Sequence, residues 1–241
     1  MKKNQIFIIG LFSIGLLISS GFTLNLVSGF NSFQDGIDVD NFTSVSIAIP
    51  ANTTIEIGNT YSLSIDADEK TMDKIRVEVK NGNLRITKKK NAKDIKGEVR
   101  IHIIAPDFDA LSMSGSGNLR AEKEFSVDEI ALKIAGSGDM SFFDLKADEV
   151  DIKISGSGDV DLSGKGSREL GISIAGSGDI NAVDFEVGEV NVKISGSGDC
   201  KVHVNKELMV SISGSGSVRY NGDPAVNISI SGSGSVSKIK Q

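Results

Sequence analysis

The 241-residue chain contains one cysteine, Cys200, two histidines, three prolines and no tryptophan. A single thiol closes no internal disulfide, so the fold has to be held by packing alone. His102, His203 and Cys200 lie far apart in sequence. They do not make the Cys/His spacing of a zinc site, and no cofactor is expected. Aromatic residues are only 5% of the chain, and Tyr61 and Tyr220 are its only tyrosines. That leaves few platforms for gripping a sugar ring. Positive charge is in deficit, with a formal net charge of −6. Nucleic acid, which wants a basic face to replace its condensed counterions, is therefore not an expected partner. The one basic cluster, Lys88-Lys89-Lys90, follows the apolar Leu84 and Ile86 and reads as a solvated turn. Helical periodicity is missing beyond the leader.

The leader is the long stretch without charge. Lys2 and Lys3 precede an apolar run from Ile6 to Ile18, followed by Ser19, Ser20 and Gly21. This is the charged, apolar, small-residue order of a signal peptide over 1–21. No charge occurs from Asn4 to Gln34, so the alternative is a retained anchor over 4–30, the membrane's only hold on the chain. Without a cysteine there, lipoprotein processing is excluded. Residues 22–37 read as a linker, and 38–241 as one domain.

Glycine is what the chain has in abundance, with 27 residues. A small residue followed by Gly-Ser-Gly occurs seven times, with the glycine pairs Gly115/Gly117, Gly136/Gly138, Gly156/Gly158, Gly176/Gly178, Gly196/Gly198, Gly214/Gly216 and Gly232/Gly234. The steps are 21, 20, 20, 20, 18 and 18 residues. Periods of this length mark stacked architectures. Before each turn runs a strict alternation such as Val150, Ile152, Ile154 with polar residues between, which is a half-buried strand. One apolar position follows each turn: Leu119, Met140, Val160, Ile180, Cys200, Val218 and Val236. Cys200 therefore reads as a buried small hydrophobe.

The predicted fold is all-β: a parallel β-helix, or solenoid, with coils of 18–21 residues, equivalent positions stacking about 4.8 Å apart. Handedness preferences favour a right-handed wind. Seven coils over 111–236 would span roughly 30–35 Å. The glycines answer a corner that needs positive φ and leaves no room for side chains, and the serines between them are placed to form hydroxyl ladders or to bond nearby backbone. From 38 to 110 the alternation is looser and reads as irregular coils or an N-terminal cap. Asn81-Gly82 between two apolar runs predicts a tight hairpin. At the other end Lys238 and Lys240 would discourage edge pairing.

The segments Asp40–Val45, Thr53–Gly58 and Asn81–Ile86, followed by repeated Ser-Gly-Ser-Gly-Asp coils, resemble the auto-transporter adhesin "head GIN domain" family over about 38–236. That resemblance implies a β-helical fold and export to the periplasm or cell surface of a Gram-negative bacterium. It brings no catalytic or ligand residues with it.

The repeat also places Asp139, Asp159, Asp179 and Asp199 in one column. Carboxylates about 4.8 Å apart repel by roughly 1 kcal/mol per neighbouring pair in water. Calcium would relieve that repulsion. However, the calcium-binding nonapeptide roll has a shorter period, with its Asp one residue further from the Gly. Hydrogen bonding of each Asp by turn amides is the favoured reading. A second column, Glu129, Glu149, Glu169, Glu189 and Glu207, reads as a solvated face, its charge offset by Lys133, Lys153 and Lys193. Polysaccharide-active β-helix enzymes need carboxylates driven to different pKa values in a cleft. Carboxylates in identical repeat environments do not supply them, and no catalytic residue is assigned. The expected function is a non-catalytic module binding a glycan or cell-surface protein, with a purely structural, self-associating envelope component and a polysaccharide-active enzyme as the alternatives.

Overall fold

The computed structural model describes residues 33–240. The expected leader, 1–21, and the alternative anchor, 4–30, lie outside the described residues.

Strand β1 is Phe33–Ile37, and β2 (Ser44–Ala48) with β3 (Asn52–Ile57) makes a first coil. An excursion follows through β4 (Ser62–Asp66), one helical turn α1 (Glu69–Met72) and β5 (Ile75–Lys80), before β6 (Asn83–Lys88) and β7 (Arg100–Ala105). The regular coils are β8 (Ala110–Gly115) with β9 (Asn118–Ser126), β10 (Glu129–Gly136) with β11 (Asp139–Lys146), then β12 (Glu149–Gly156). The long strands β13 (Val160–Gly176), β14 (Ile180–Gly196) and β15 (Asp199–Gly214) each pass from one face to the other. The chain ends with β16 (Ser217–Asn221), β17 (Ala225–Gly232) and β18 (Ser235–Lys238).

Pairing makes two faces of a parallel β-solenoid. The first face runs β6, β2, β8, β10, β12, the C-terminal halves of β13, β14 and β15, then β17. The second runs β7, β3, β9, β11, the N-terminal halves of the same long strands, β16 and β18. Register on the first face is unbroken. Ile134, Ile154, Ile174, Ile194, Ile212 and Ile230 share one column, and Gly115 to Gly232 share another. Period-two alternation leaves one buried column per apolar position, and a slip by one residue would turn all of them outward.

The stacking order departs from chain order at one place. The β2–β3 coil lies between the later β6–β7 coil and the β8–β9 coil, parallel to both. The excursion turns the chain back past its own first coil. Its β5 then closes the first face antiparallel to β6 through the Asn81-Gly82 hairpin, where both residues have positive φ. On the second face β4 pairs antiparallel with β7, and β1 with β4. The last five residues of the segment expected as linker, 22–37, are therefore a strand, because β4 offers β1 an open row of backbone donors and acceptors. Helix α1 was not anticipated either: the Asp68 carboxylate accepts the Thr71 N–H at 3.0 Å and the Thr71 hydroxyl at 2.7 Å, an N-cap signal in the sequence.

The two faces are held together by aliphatic columns such as Leu132, Ile152, Ile172 and Val192, all buried. Cys200 is fully buried in line with Ile180 and Val218. Four phenylalanines form a ladder along the axis: Phe42–Phe108 at 6.3 Å between ring centroids, Phe108–Phe125 at 5.4 Å and Phe125–Phe142 at 5.3 Å. A chain poor in aromatics has put these four inside, where each contributes a large buried area.

Candidate functional site

The Gly-Ser-Gly corner is held chiefly by main chain. From the second corner on, each corner serine donates its backbone N–H to the first glycine carbonyl of the preceding coil: Ser157 to Gly136 at 2.8 Å, Ser177 to Gly156 at 2.9 Å, Ser197 to Gly176 at 2.8 Å. The ladder that runs through the corner is therefore one of amides and carbonyls, which face each other at coil spacing.

The expectation of positive φ at the corner glycines has to be corrected for half of them. The first glycine of every corner, Gly115, Gly136, Gly156, Gly176, Gly196, Gly214 and Gly232, has positive φ. The second, Gly117, Gly138, Gly158, Gly178, Gly198, Gly216 and Gly234, does not. A single left-handed residue turns the chain at each corner, so its partner two positions on is free of that demand. Close stacking is what excludes a side chain from the second position. A Cβ on Gly158 would strike the Gly138 carbonyl oxygen and the Ile134 side chain. The same collision recurs for Gly178 with the Gly158 carbonyl and Ile154, and for Gly198 with the Gly178 carbonyl and Ile174. In the last corner Gly234 faces the Gly216 carbonyl and Ile212. At the first position both reasons apply: Gly156 has φ 137°, and a Cβ on it would also collide with the Gly136 carbonyl oxygen.

The aspartate column adds a rung to this corner. Asp159 donates its N–H to Asp139 Oδ1 at 3.0 Å, Asp179 to Asp159 Oδ1 at 2.8 Å, Asp199 to Asp179 Oδ1 at 2.8 Å and Ser217 to Asp199 Oδ1 at 2.9 Å. Each carboxylate is bonded by the next coil's amide, not by its own turn. Where the preceding column residue is Asn118 or Ser217, the amide takes a glycine carbonyl instead: Asp139 to Gly117 at 2.9 Å and Ser235 to Gly216 at 3.2 Å. Among the described residues no three His, Cys, Asp or Glu side chains converge as a metal-binding set.

The outward side of the first face is built from small side chains with charge at two margins. At the strand starts stand Glu129, Glu149, Glu169, Glu189 and Glu207, in register. Their counter-charge is Arg168, which reaches Glu169 at 3.1 Å and Glu149 at 3.3 Å. The expected partners Lys133, Lys153 and Lys193 sit four residues further along their strands, out of line with the glutamates. They make no ion pair among the described residues. They share a column with Ser112, Ser173, Ser211 and Ser229. Beside it a shallow groove of about 480 Å³ crosses four coils; Lys153, Ser173, Lys193 and Ser211 rim it, and Ile154, Ile174, Ala175 and Ile194 make its lining mainly apolar.

The remaining chemistry-bearing residues do not join this face. His102 lies on β7, with Nε2 3.7 Å from Glu56, whereas His203 lies on β15. Burial, with the Asp179 and Asp199 carboxylates nearby, pushes the Cys200 thiol far above its ordinary range. It is held as a neutral thiol, the opposite of a nucleophile's environment. Lys88 is paired with Asp94 at 2.8 Å, which holds that carboxyl below its usual range.

The model of the family described as "Putative auto-transporter adhesin, head GIN domain" matches residues 41–224. Among solved structures, a putative adhesin from Bacteroides fragilis is similar at 23% identity and TM-score 0.78, covering 85% of this chain and 95% of that one. A protein called a putative lipid binding protein, from Parabacteroides distasonis, is similar at 26% identity and TM-score 0.72, covering 88% and 98%. A putative adhesin from Parabacteroides merdae is similar at 24% and TM-score 0.73, with the same coverage. No curated protein matches the chain.

Proposed function

The chain belongs to the auto-transporter adhesin, head GIN domain family, and on that premise we propose that it is an exported, non-catalytic binding module whose first face takes an acidic glycan. The observation that carries this reading is the Lys133/Lys153/Lys193 column, free of ion pairs among the described residues, with Lys153 and Lys193 at the rim of a groove that also offers serine hydroxyls and an apolar floor. Three ammonium groups, interrupted by the hydroxyls of Ser173 and Ser211 in the same column, suit a glycan of sparse acidic groups and many hydroxyls, because the glutamate column on the same face would repel a densely charged one. Each contact is weak in water, and a repeated face gains affinity by engaging several at once. The family's adhesin description supports an exported location and a binding role.

A lipid ligand, as in the name of the Parabacteroides distasonis protein, is less well supported. An acyl chain wants an apolar channel, and the space between the two faces is filled by Leu132, Ile152, Ile172 and Val192.

The test is retention of the purified chain on an array holding sulfated, uronic and neutral glycans. Binding to acidic glycans is expected, weakening with salt and abolished in the Lys133→Ala/Lys153→Ala/Lys193→Ala variant. Equal retention by the variant, or sustained turnover of any glycan, would overturn the reading. Removal of the protein from intact cells by added protease would separate surface exposure from a periplasmic location.

A further inference from the structure

Charge is spread unevenly along the chain. From Glu69 to Arg100 there are eleven Lys and Arg against five Asp and Glu, in a protein whose formal net charge is −6. The lysines of this stretch are gathered on one margin of the solenoid by the excursion and by the crossing from β6 to β7. The Lys89 N–H donates to the Lys74 carbonyl at 2.7 Å, and Lys74 Nζ donates to the Asp94 carbonyl at 3.3 Å. Further along the crossing, Gly97 lies so close to Asp68 and Thr71 that a Cβ on it would meet both side chains. Ile95 packs against the core and Val99 is buried in it.

On this anchored segment Lys70, Lys88, Lys89, Lys90, Lys93 and Lys96 are all exposed. Asp94 and Glu98 are engaged by Lys88 and Arg100, each at 2.8 Å. Lys70, Lys89, Lys90, Lys93 and Lys96 make no ion pair among the described residues.

The uncharged part of the chain enters at the same margin. Phe33, the first residue of β1, pairs with Asp66, two residues before the α1 cap Asp68. No charge occurs from Asn4 to Gln34, and the portion beyond the expected signal peptide still holds Phe22, Leu24, Leu26, Val27 and Phe30. An apolar arm therefore joins the domain beside its densest positive charge.

We propose that this margin is a membrane-contact surface, where the lysines meet anionic phospholipid headgroups while the adjoining apolar arm enters the lipid. A stable hold on a bilayer takes two signals, and an apolar segment with a polybasic patch is one such pair. Lysine is a flexible point charge that suits a diffuse anionic plane, whereas a discrete phosphate or carboxylate site is better served by the arginine fork. An acidic glycan would meet the same lysines but would leave the apolar arm without a medium to enter. The inference does not rest on the glycan reading of the first face, whose lysines are different ones.

The test is co-sedimentation of the full chain with vesicles of phosphatidylcholine alone and of phosphatidylcholine mixed with phosphatidylglycerol. The apolar arm meets both compositions alike, so the difference between them reads the lysines. Each lysine near an anionic surface is a gain of roughly fivefold, so a preference of about tenfold or more for the anionic vesicles is expected, shrinking as salt is added. Lys89→Gln/Lys90→Gln/Lys93→Gln/Lys96→Gln should bring the two vesicle types to within about twofold. Should that variant fail to fold, Lys93→Gln/Lys96→Gln should still cut the preference severalfold. Lys133→Ala/Lys153→Ala/Lys193→Ala should leave it unchanged, which separates this proposal from the glycan reading. Equal binding of the wild-type chain to both vesicle types would overturn the proposal, as would an undiminished preference in the substituted chains. So would retention on a soluble sulfated glycan through these same four lysines with no preference between the vesicles, which would make a polysaccharide the occupant.

Discussion

Asp179 accepts the backbone N–H of Asp199, one coil further on, through Oδ1 at 2.8 Å, and donates its own N–H to Asp159. The carboxylate stands in for the glycine carbonyl that serves the same amide at the ends of the column. The column is therefore a chain of hydrogen bonds built from groups that also repel one another.

Those two effects are of similar size. A net hydrogen bond contributes about 1 kcal/mol, and two like-charged neighbours at coil spacing cost roughly 1 kcal/mol each in water. Asp179→Asn keeps an acceptor and removes the repulsion, so it should be neutral or stabilising by about 1 kcal/mol. Asp179→Ala also loses the rung and should be the less stable variant. Urea unfolding at low and high salt checks this, with wild type gaining more from salt than Asp179→Asn. The reverse order of the two variants would contradict the ladder.

The corner predicts a second pair of effects. Gly158→Ala forces a methyl group against the Gly138 carbonyl without a φ penalty, whereas Gly156→Val adds left-handed backbone strain to the same kind of clash. Overpacking typically costs about 1–3 kcal/mol and such strain about as much again. Both variants should melt below wild type, Gly156→Val by more, in thermal unfolding followed by circular dichroism. Gly178→Ala should behave as Gly158→Ala does, because it meets the same carbonyl one coil further on.

Cys200 gives the chain a pH dependence on the alkaline side. Its folded pKa lies far above the unfolded value of about 8.5. Above that pH the unfolded chain loses a proton that the folded chain retains. Stability should fall by about 1.4 kcal/mol per pH unit from there upward, other groups aside. Cys200→Val should flatten this slope between about pH 9 and 10.5, and the native thiol should resist thiol reagents until the chain unfolds. Parallel slopes for the two proteins would exclude a buried neutral thiol.

Phe125 has ring partners on both sides, Phe108 and Phe142. Phe125→Ala should cost about 3–5 kcal/mol. Tyr61, which meets Phe42 from the rim at 5.3 Å and is only partly buried, should cost less on truncation to alanine. Chemical denaturation of the two variants compares them directly.

Much of this molecule is legible in its sequence because a repeat places each residue in the same environment as its counterpart 18–21 positions away. Alternation determined which side chains face the core. The spacing of the Gly-Ser-Gly turns determined the register, and the position after each turn determined that Cys200 is buried. The tertiary structure decided what the period cannot encode. Two glycines per corner look alike in the sequence, yet Gly176 answers a backbone angle and Gly178 only the carbonyl stacked against it. Two coils with the same alternation, β2–β3 and β6–β7, can be stacked in either order, and only long-range pairing puts the earlier one inside. The Phe42, Phe108, Phe125 and Phe142 ladder is not legible as a repeat, because Phe42 and Phe108 share an offset ahead of the paired Ser44 and Ala110 whereas Phe125 and Phe142 lie at two other offsets, on the second face. The Asp column was visible in the sequence, but its bonding partner was not: the amide that occupies each carboxylate comes from the next coil, about 20 residues away in the chain and one strand spacing away in space. Ile228 and Ile230 have the same alternation as Val210 and Ile212, yet the first two are exposed and the second two buried, a difference that depends on place in the stack and not on pattern.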